Sequence, residues 1–470
     1  MGNHHEIEIK EEHYSFSGRA KKVSLALMGV GLVLFLISIF TMSKEETLCC
    51  IDHKTAPKSA LVEHDSHADN HGEEAHEDAH AEEADHQVEE GHEEGHHSAI
   101  HTKPWTARVW TNLLMNGYYM LILGAGGLFF VALQYIANAG WATVVKRVPE
   151  AMATVLPWAL GIILVVLFFG RNEIYHFAEY FSDKAAGAEG FHEDALMEGK
   201  AGFLNTSWLL FGTLAIVGVW IYFAFRMRQL SKQEDAEGGL VPFNKTIRNS
   251  AVFTLLFAFS FSVLSWLLIM SVDAHWFSTI FSVYNFAIAF VTALTVICMI
   301  VLFLKSQGYL KVVTDEHVHD LGKFMFAFSI FWGYIWVSQY LLIWYANIPE
   351  ESVYFDTRYY PEWKPMFGVN VILNFLAPFL LLMTRDGKRN PKILIIAAIC
   401  ILGGHWNDIY LMLMPGAIGP AASIGLLEIG TTLMFAGLFI FLVFRALSKQ
   451  SLVAVNHPYI TESAHHDVGP

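Results

Sequence analysis

Long apolar runs alternate with short polar connections along this chain. Ten runs are long enough to cross a bilayer as helices, at about residues 23–42, 109–137, 152–170, 203–227, 246–270, 280–304, 321–347, 367–384, 392–414 and 422–446. A hydrocarbon core of about 30 Å takes roughly 20 apolar residues at 1.5 Å each. The runs lack the period-two alternation of barrel strands, and only helices and closed barrels satisfy the backbone in lipid. The pattern predicts an all-α integral membrane protein of about ten transmembrane helices. A polar stretch precedes the first run, and Thr41-Met-Ser-Lys-Glu-Glu46 follows where a small-residue cleavage site would stand. That run reads as a retained anchor rather than a signal peptide.

Composition agrees: 54% of the 470 residues are hydrophobic and 16% are charged. A soluble domain carries about 25% charged residues, so a soluble multidomain enzyme is excluded. Lys and Arg divide unequally between alternate connections, 20 on the side of the N-terminus and 10 on the other. By the positive-inside rule both termini are expected to be cytoplasmic. The formal charge of −15 is local, because Leu61–Thr102 holds 14 acidic residues and no Lys or Arg. The same stretch has ten histidines and almost no large apolar side chain. It is predicted to be a disordered periplasmic loop, read either as a metal or proton collector or as a solvated spacer. Nothing resembles a nucleic-acid interface.

The four cysteines offer neither a disulfide framework nor a cluster site. Cys298 and Cys400 lie inside apolar runs, and Cys49-Cys50 is a vicinal pair beyond the first. Gly124-Ala-Gly126-Gly127 falls within a span with no strand before it, so it predicts close helix packing rather than a nucleotide loop.

Titratable groups inside a membrane core are costly and are functional candidates. Measured at 1.5 Å per residue, His405 lies roughly 10 Å below the outer surface and Glu428 about 9 Å deep. Asp408 shares a helix face with His405. Asn285 and Asn374 fall near the same level, so these side chains are expected to form one polar layer. Asp273 and His275 stand at the outer end of the fifth span beside Trp276, which the interfacial aromatic belt would explain. His-Trp recurs at 405–406, each time near the end of the last helix in a group of four. The recurrence suggests two groups, helices two to five and six to nine. On the inner side His317, His319, Asp320 and Lys323 cluster at the start of the seventh span.

The expected organisation is therefore a cytoplasmic tail (1–22), a first helix (23–42), a periplasmic His/Glu-rich loop (43–108), a four-helix bundle (109–270), a second four-helix bundle (271–414), a last helix (415–446) and a cytoplasmic tail (447–470). It comprises two four-helix bundles plus one flanking helix at each end.

Two stretches carry a family resemblance. One is Asp273-Ala-His275-Trp276-Phe277-Ser278-Thr279-Ile280-Phe281-Ser282-Val283-Tyr284. The other runs from Asp320-Leu-Gly-Lys-Phe-Met-Phe through Trp332-Gly-Tyr-Ile-Trp-Val-Ser-Gln-Tyr340 to Trp344-Tyr-Ala-Asn-Ile-Pro-Glu350. Over residues 105–446 the chain resembles the NrfD-like (polysulfide-reductase membrane subunit) family. It is most similar to the second NrfD-like subunit (ActF type) of bacterial alternative complex III. The resemblance implies a subunit in the bacterial cytoplasmic membrane that has no catalytic residue, bound cofactor or metal of its own. Partners would include a multihaem cytochrome with haem c, an iron–sulfur subunit, the first NrfD-like subunit and, in some complexes, a terminal oxidase. Such complexes carry electrons from menaquinol to a cytochrome c or an oxidase. The second NrfD-like subunit is thought to help move protons. On that reading Asp273, His275, His405, Asp408 and Glu428 form an outer half-path, with His319, Asp320 and Lys323 toward the inner entrance. Ser282-Val283 stands where quinone-binding relatives often have prolines, so no quinone site is assigned. Two readings of the residues compete with this one: a secondary transporter of protons or a divalent metal, and a purely structural scaffold.

Overall fold

The computed structural model describes residues 9–16, 18–42, 47–48, 102–188, 191–361, 363–419 and 423–467. Cys49, Cys50 and almost all of the His/Glu-rich loop lie outside the described residues. Ten of the described helices are long and apolar enough to cross a membrane. They are α1 (Arg19–Met42), α2 (Trp105–Ile136), α3 (Arg147–Phe169), α4 (Thr206–Glu237), α5 (Leu240–Val272), α6 (Phe281–Ser306), α7 (Asp315–Ala346), α8 (Lys364–Leu382), α9 (Pro391–Ala417) and α10 (Leu426–Leu447). The chain is a multi-pass helical membrane protein.

Local chemistry explains where several of these helices start and stop. Asn205 accepts the Trp208 N–H at 2.7 Å to cap α4, and Asn390 accepts the Lys392 N–H at 3.0 Å to cap α9. Helix α7 ends at Asn347, in the left-handed region (φ 46°), just before Ile348-Pro349. In α8, residues Ile372–Leu376 form a π-helical turn immediately before Pro378, whose ring cannot fit a regular turn.

Helices α2, α3, α4 and α5 touch in a ring, as do α6, α7, α8 and α9. Helices α2 and α6 form the seam between the rings and are the most enclosed, with 72% and 89% of their apolar windows buried. Gly126 permits this approach, since a Cβ there would lie 2.6 Å from the Ala289 carbonyl of α6. Helix α1 is 17% buried over its window and packs on α10. The chain segment before α1 meets the segment after α10, with the Leu452 N–H donating to the Glu12 carbonyl at 2.7 Å. Both tails thus lie on one face, called here the terminal face. The opposite one is the loop face, where Thr47–Leu48 pairs antiparallel with Thr102–Lys103.

Candidate functional site

An enclosed polar site lies between α6, α7, α8 and α9. Asp408 of α9 is 2% exposed. One carboxylate oxygen accepts from the Tyr284 hydroxyl of α6 and from Asn370 Nδ2 of α8 at 2.8 Å. The other accepts from Trp332 Nε1 of α7 at 2.9 Å. Asn374 extends the chain of contacts by donating to Asn370 Oδ1 at 2.6 Å. It is accommodated because position 404 is glycine, where a Cβ would lie 2.2 Å from Asn374 Oδ1. His405 is fully buried, edge-on to the Trp332 ring, with its Nδ1 3.7 Å from Asp408. Neither ring nitrogen of His405 has a hydrogen-bond partner in the described structure. A buried carboxylate met by donors from three other helices, beside an imidazole with free nitrogens, is a place where a proton can be held and handed on.

A cavity of about 320 Å³, including its open mouth, adjoins Asp408 on the loop-face side. Its lining includes Trp336, Gln339, Tyr354, Phe367 and Arg358. The Arg358 guanidinium donates to Asp273 at 2.9 Å and to the carbonyls of Leu411 and Met412 at 2.8 and 3.0 Å. The same group lies 3.4 Å from the Tyr354 ring centroid.

The single polar layer expected from the sequence is divided in the structure. His405, Asp408 and Asn374 do come together. Glu428 instead accepts from Arg108 Nε and Nη2, both at 2.8 Å, from Asn112 Nδ2 at 3.0 Å and from the Gly425 N–H at 2.8 Å. The reason is packing: α10 lies against α1, α2 and the start of α3 rather than against α9, and Glu428 meets the donors of α2. Asn285 bonds across the seam to the Tyr118 hydroxyl at 3.0 Å. Asp273 is committed to Arg358. His275 stands outside the enclosed site, with its side chain 35% exposed and its Nε2 2.7 Å from Asp194. That carboxylate caps the short helix Ala195–Lys200. Trp276 is not a lipid-facing belt residue: it is 4% exposed, stacks on Tyr354 at 4.0 Å and donates to the Glu351 carbonyl at 3.1 Å.

At the terminal face the residues at the start of α7 fall into separate pairs. Asp320 pairs with Lys323 and, at 2.7 Å, with His466 from the C-terminal tail. His319 lies 3.6 Å from Glu316, which also pairs with Arg389. Beside them is a larger buried network that the sequence reading passed over. Lys146 donates to Glu234 at 2.9 Å and to the Tyr135 hydroxyl at 2.8 Å. Arg147 donates to Glu150 at 2.9 Å, to Ser231 and, through two bonds, to Asp235. Burial pushes the Lys146 ammonium down despite Glu234 and Glu150. The i,i+3 spacing of Arg147 and Glu150 was the one visible signal, whereas the α4 partners lie more than eighty residues away.

Comparison with known protein families finds no matching family model, and comparison with curated proteins finds no match.

Proposed function

We propose that this chain is a redox-inert membrane subunit of a respiratory quinol:electron-acceptor oxidoreductase of the alternative complex III type, with a proton-handling role centred on Asp408. The single observation that supports a protonic role is the Asp408 site. It combines a buried carboxylate, donors from three other helices and a buried imidazole whose nitrogens have no hydrogen-bond partner among the described residues. Support for the NrfD-like assignment comes from the Asp273–Tyr284 and Asp320–Glu350 stretches. On this reading the rings α2–α5 and α6–α9 are the two four-helix bundles, with α1 and α10 flanking them. The chain would sit in a bacterial cytoplasmic membrane with both termini inside. Haem c, iron–sulfur clusters and menaquinol would belong to partner subunits.

The candidate path is narrower than the sequence suggested. His405 and Asp408 remain as the loop-face relay. His319, Asp320 and Lys323 remain as groups near the terminal face, while Glu428 and Asp273 act as ion-pair anchors. Those anchored acids favour a second reading, a structural scaffold without conduction. Mild solubilisation followed by purification tests membership of a complex: copurifying c-type haem and iron–sulfur proteins support it, and a lone chain overturns it. Replacing Asp408 by Asn in the assembled complex then separates conduction from scaffolding. Loss of coupling between quinol oxidation and membrane potential supports conduction, and unchanged coupling supports a scaffold.

A further inference from the structure

The segment after α10 lies across the terminal face rather than leaving it. Leu452, Val453 and Ala454 are at most 1% exposed, and the short helix Ile460–Ala464 buries Ile460 and Ala464. The segment spans both rings. Asn456 donates to the Asp235 carbonyl of α4, and Ser463 donates to the Trp141 carbonyl at 2.7 Å. His466 reaches Asp320 of α7. Beneath it lie the Lys146–Glu234 network and a cavity of about 340 Å³, including its mouth, whose lining includes Tyr135, Lys146, Phe243 and His457.

Two imidazoles fasten this segment, and both are fixed in the same way. His457 Nδ1 accepts the Tyr459 N–H at 3.1 Å, so the ring proton sits on Nε2, facing Glu234 at 3.6 Å. His317 of α7 accepts the Thr314 N–H on Nδ1 at 3.1 Å and donates from Nε2 to the Ser463 carbonyl at 3.0 Å. In each ring a second proton would have to go on the nitrogen that already faces a backbone N–H. A proton there would face that N–H, with only a threonine hydroxyl left to accept it (Thr143 Oγ1 at 3.4 Å from His457, Thr314 Oγ1 at 2.8 Å from His317), and would weaken the contact that orients the ring.

We infer that residues 451–467 form an acid-released strap over the terminal face, held by two imidazoles that fit best when neutral. The charged surroundings of His457 are Lys146 from the α2–α3 connection, Arg147 of α3 and Glu234 of α4, with Tyr135 of α2 and Tyr459 of the strap beside it. Burial first, then Lys146 and Arg147, pushes the His457 imidazole down to about 2. Glu234 opposes this, but its other oxygen is already engaged by Lys146 and Tyr135. Around His317 stand His466 of the strap at 5.3 Å between ring centroids, Asp320 on the same helix and Lys305 at the end of α6.

The bound His457 imidazole titrates below the free one. The strap is therefore fully docked above the free value of about 6.5, and docking weakens up to tenfold per pH unit below it for each such ring. Opening would uncover the Lys146–Glu234 network to water.

Amide hydrogen exchange of the full-length chain in lipid nanodiscs, corrected for intrinsic exchange rates, tests this between pH 7.5 and 5.0. Protection of amides 452–466 is expected to fall at least about tenfold by pH 5.5 in the wild type. The Gln amide can accept and donate at the same two points without titrating. His457→Gln should therefore flatten the profile in part, and the double variant with His317→Gln should flatten it nearly completely. An unprotected segment at pH 7.5, or wild-type protection that does not change down to pH 5.0, would overturn the inference. A double variant that keeps half or more of the wild-type slope would also overturn it. Should the Gln variants lose protection at pH 7.5, the wild-type profile alone decides.

Discussion

Arg108 at the start of α2 and Glu428 at the start of α10 meet in a two-point ion pair, with both nitrogen–oxygen distances 2.8 Å. They are 320 residues apart in sequence, and the pair ties the last helix to the central one. Glu428 is fully buried, and these donors take the place of water around its carboxylate. Removing one partner of a buried pair costs about 3–5 kcal/mol, whereas replacing both by apolar groups is often nearly neutral. Arg108→Met should therefore lower stability in detergent by about that amount, and the further change Glu428→Leu should recover most of it. Thermal unfolding of the single and double variants checks this. Additive losses would show that the pair does not act as a unit.

Asp408 accepts three hydrogen bonds, from Tyr284, Asn370 and Trp332. Asn at 408 can accept at one terminus only, and its amide NH₂ must face a donor. Asp408→Asn should therefore destabilise the chain by about 1–3 kcal/mol, in addition to any effect on coupling. Adding Trp332→Phe removes one facing donor and should return part of the loss. Denaturation in lipid or detergent reads both changes.

The Asp194–His275 contact gives a pH dependence with a defined sign. Burial opposes the Asp194 charge, but the hydrogen bond from His275 and the N–H groups of Leu196 and Met197 outweigh it. Its carboxyl is held below the ordinary value. A depressed carboxylate stabilises the folded form above the unfolded value of about 3.9 and loses that contribution as pH falls below it. Proteolysis of the segment around Ala195–Lys200 should therefore accelerate below about pH 4. Asp194→Asn keeps an acceptor for the helix cap but no charge, and should abolish that acid step.

Helix α1 has little to hold it besides α10, and glycines set that contact. A Cβ at Gly31 would lie 2.5 Å from the Met434 nitrogen, and one at Gly430 2.8 Å from the Phe35 nitrogen. Gly430→Leu should force the two helices apart. With a protease site inserted between residues 49 and 101, the wild-type N-terminal fragment should copurify with the remainder after cleavage. The variant's fragment should be lost, and equal retention would show that α1 is held elsewhere.

The spans themselves were legible in the sequence because lipid forces the backbone to close its own hydrogen bonds. Each span therefore needs an uninterrupted apolar run, and Phe281–Ser306 or Pro391–Ala417 can be read without neighbours. The i,i+3 pairing of His405 with Asp408 was equally local. The identity of each acid's partner was not local. Depth placed Glu428 level with His405, but the lateral packing of α10 gave it to Arg108 and Asn112. Arg358, in the connection between α7 and α8, is the counter-ion of Asp273, 85 residues away in sequence. Trp276 looked like a belt residue until Tyr354 covered it. Lys146, Glu234 and His457 stand near helix ends or in a tail, where charge is ordinarily solvated. Only the folding of the tail across the terminal face encloses them. The order of apolar and polar residues decides which segments enter the bilayer and how deep each side chain lies. Which side chains meet at a given depth depends on rotation and contact between helices, and that is a property of the assembled tertiary structure.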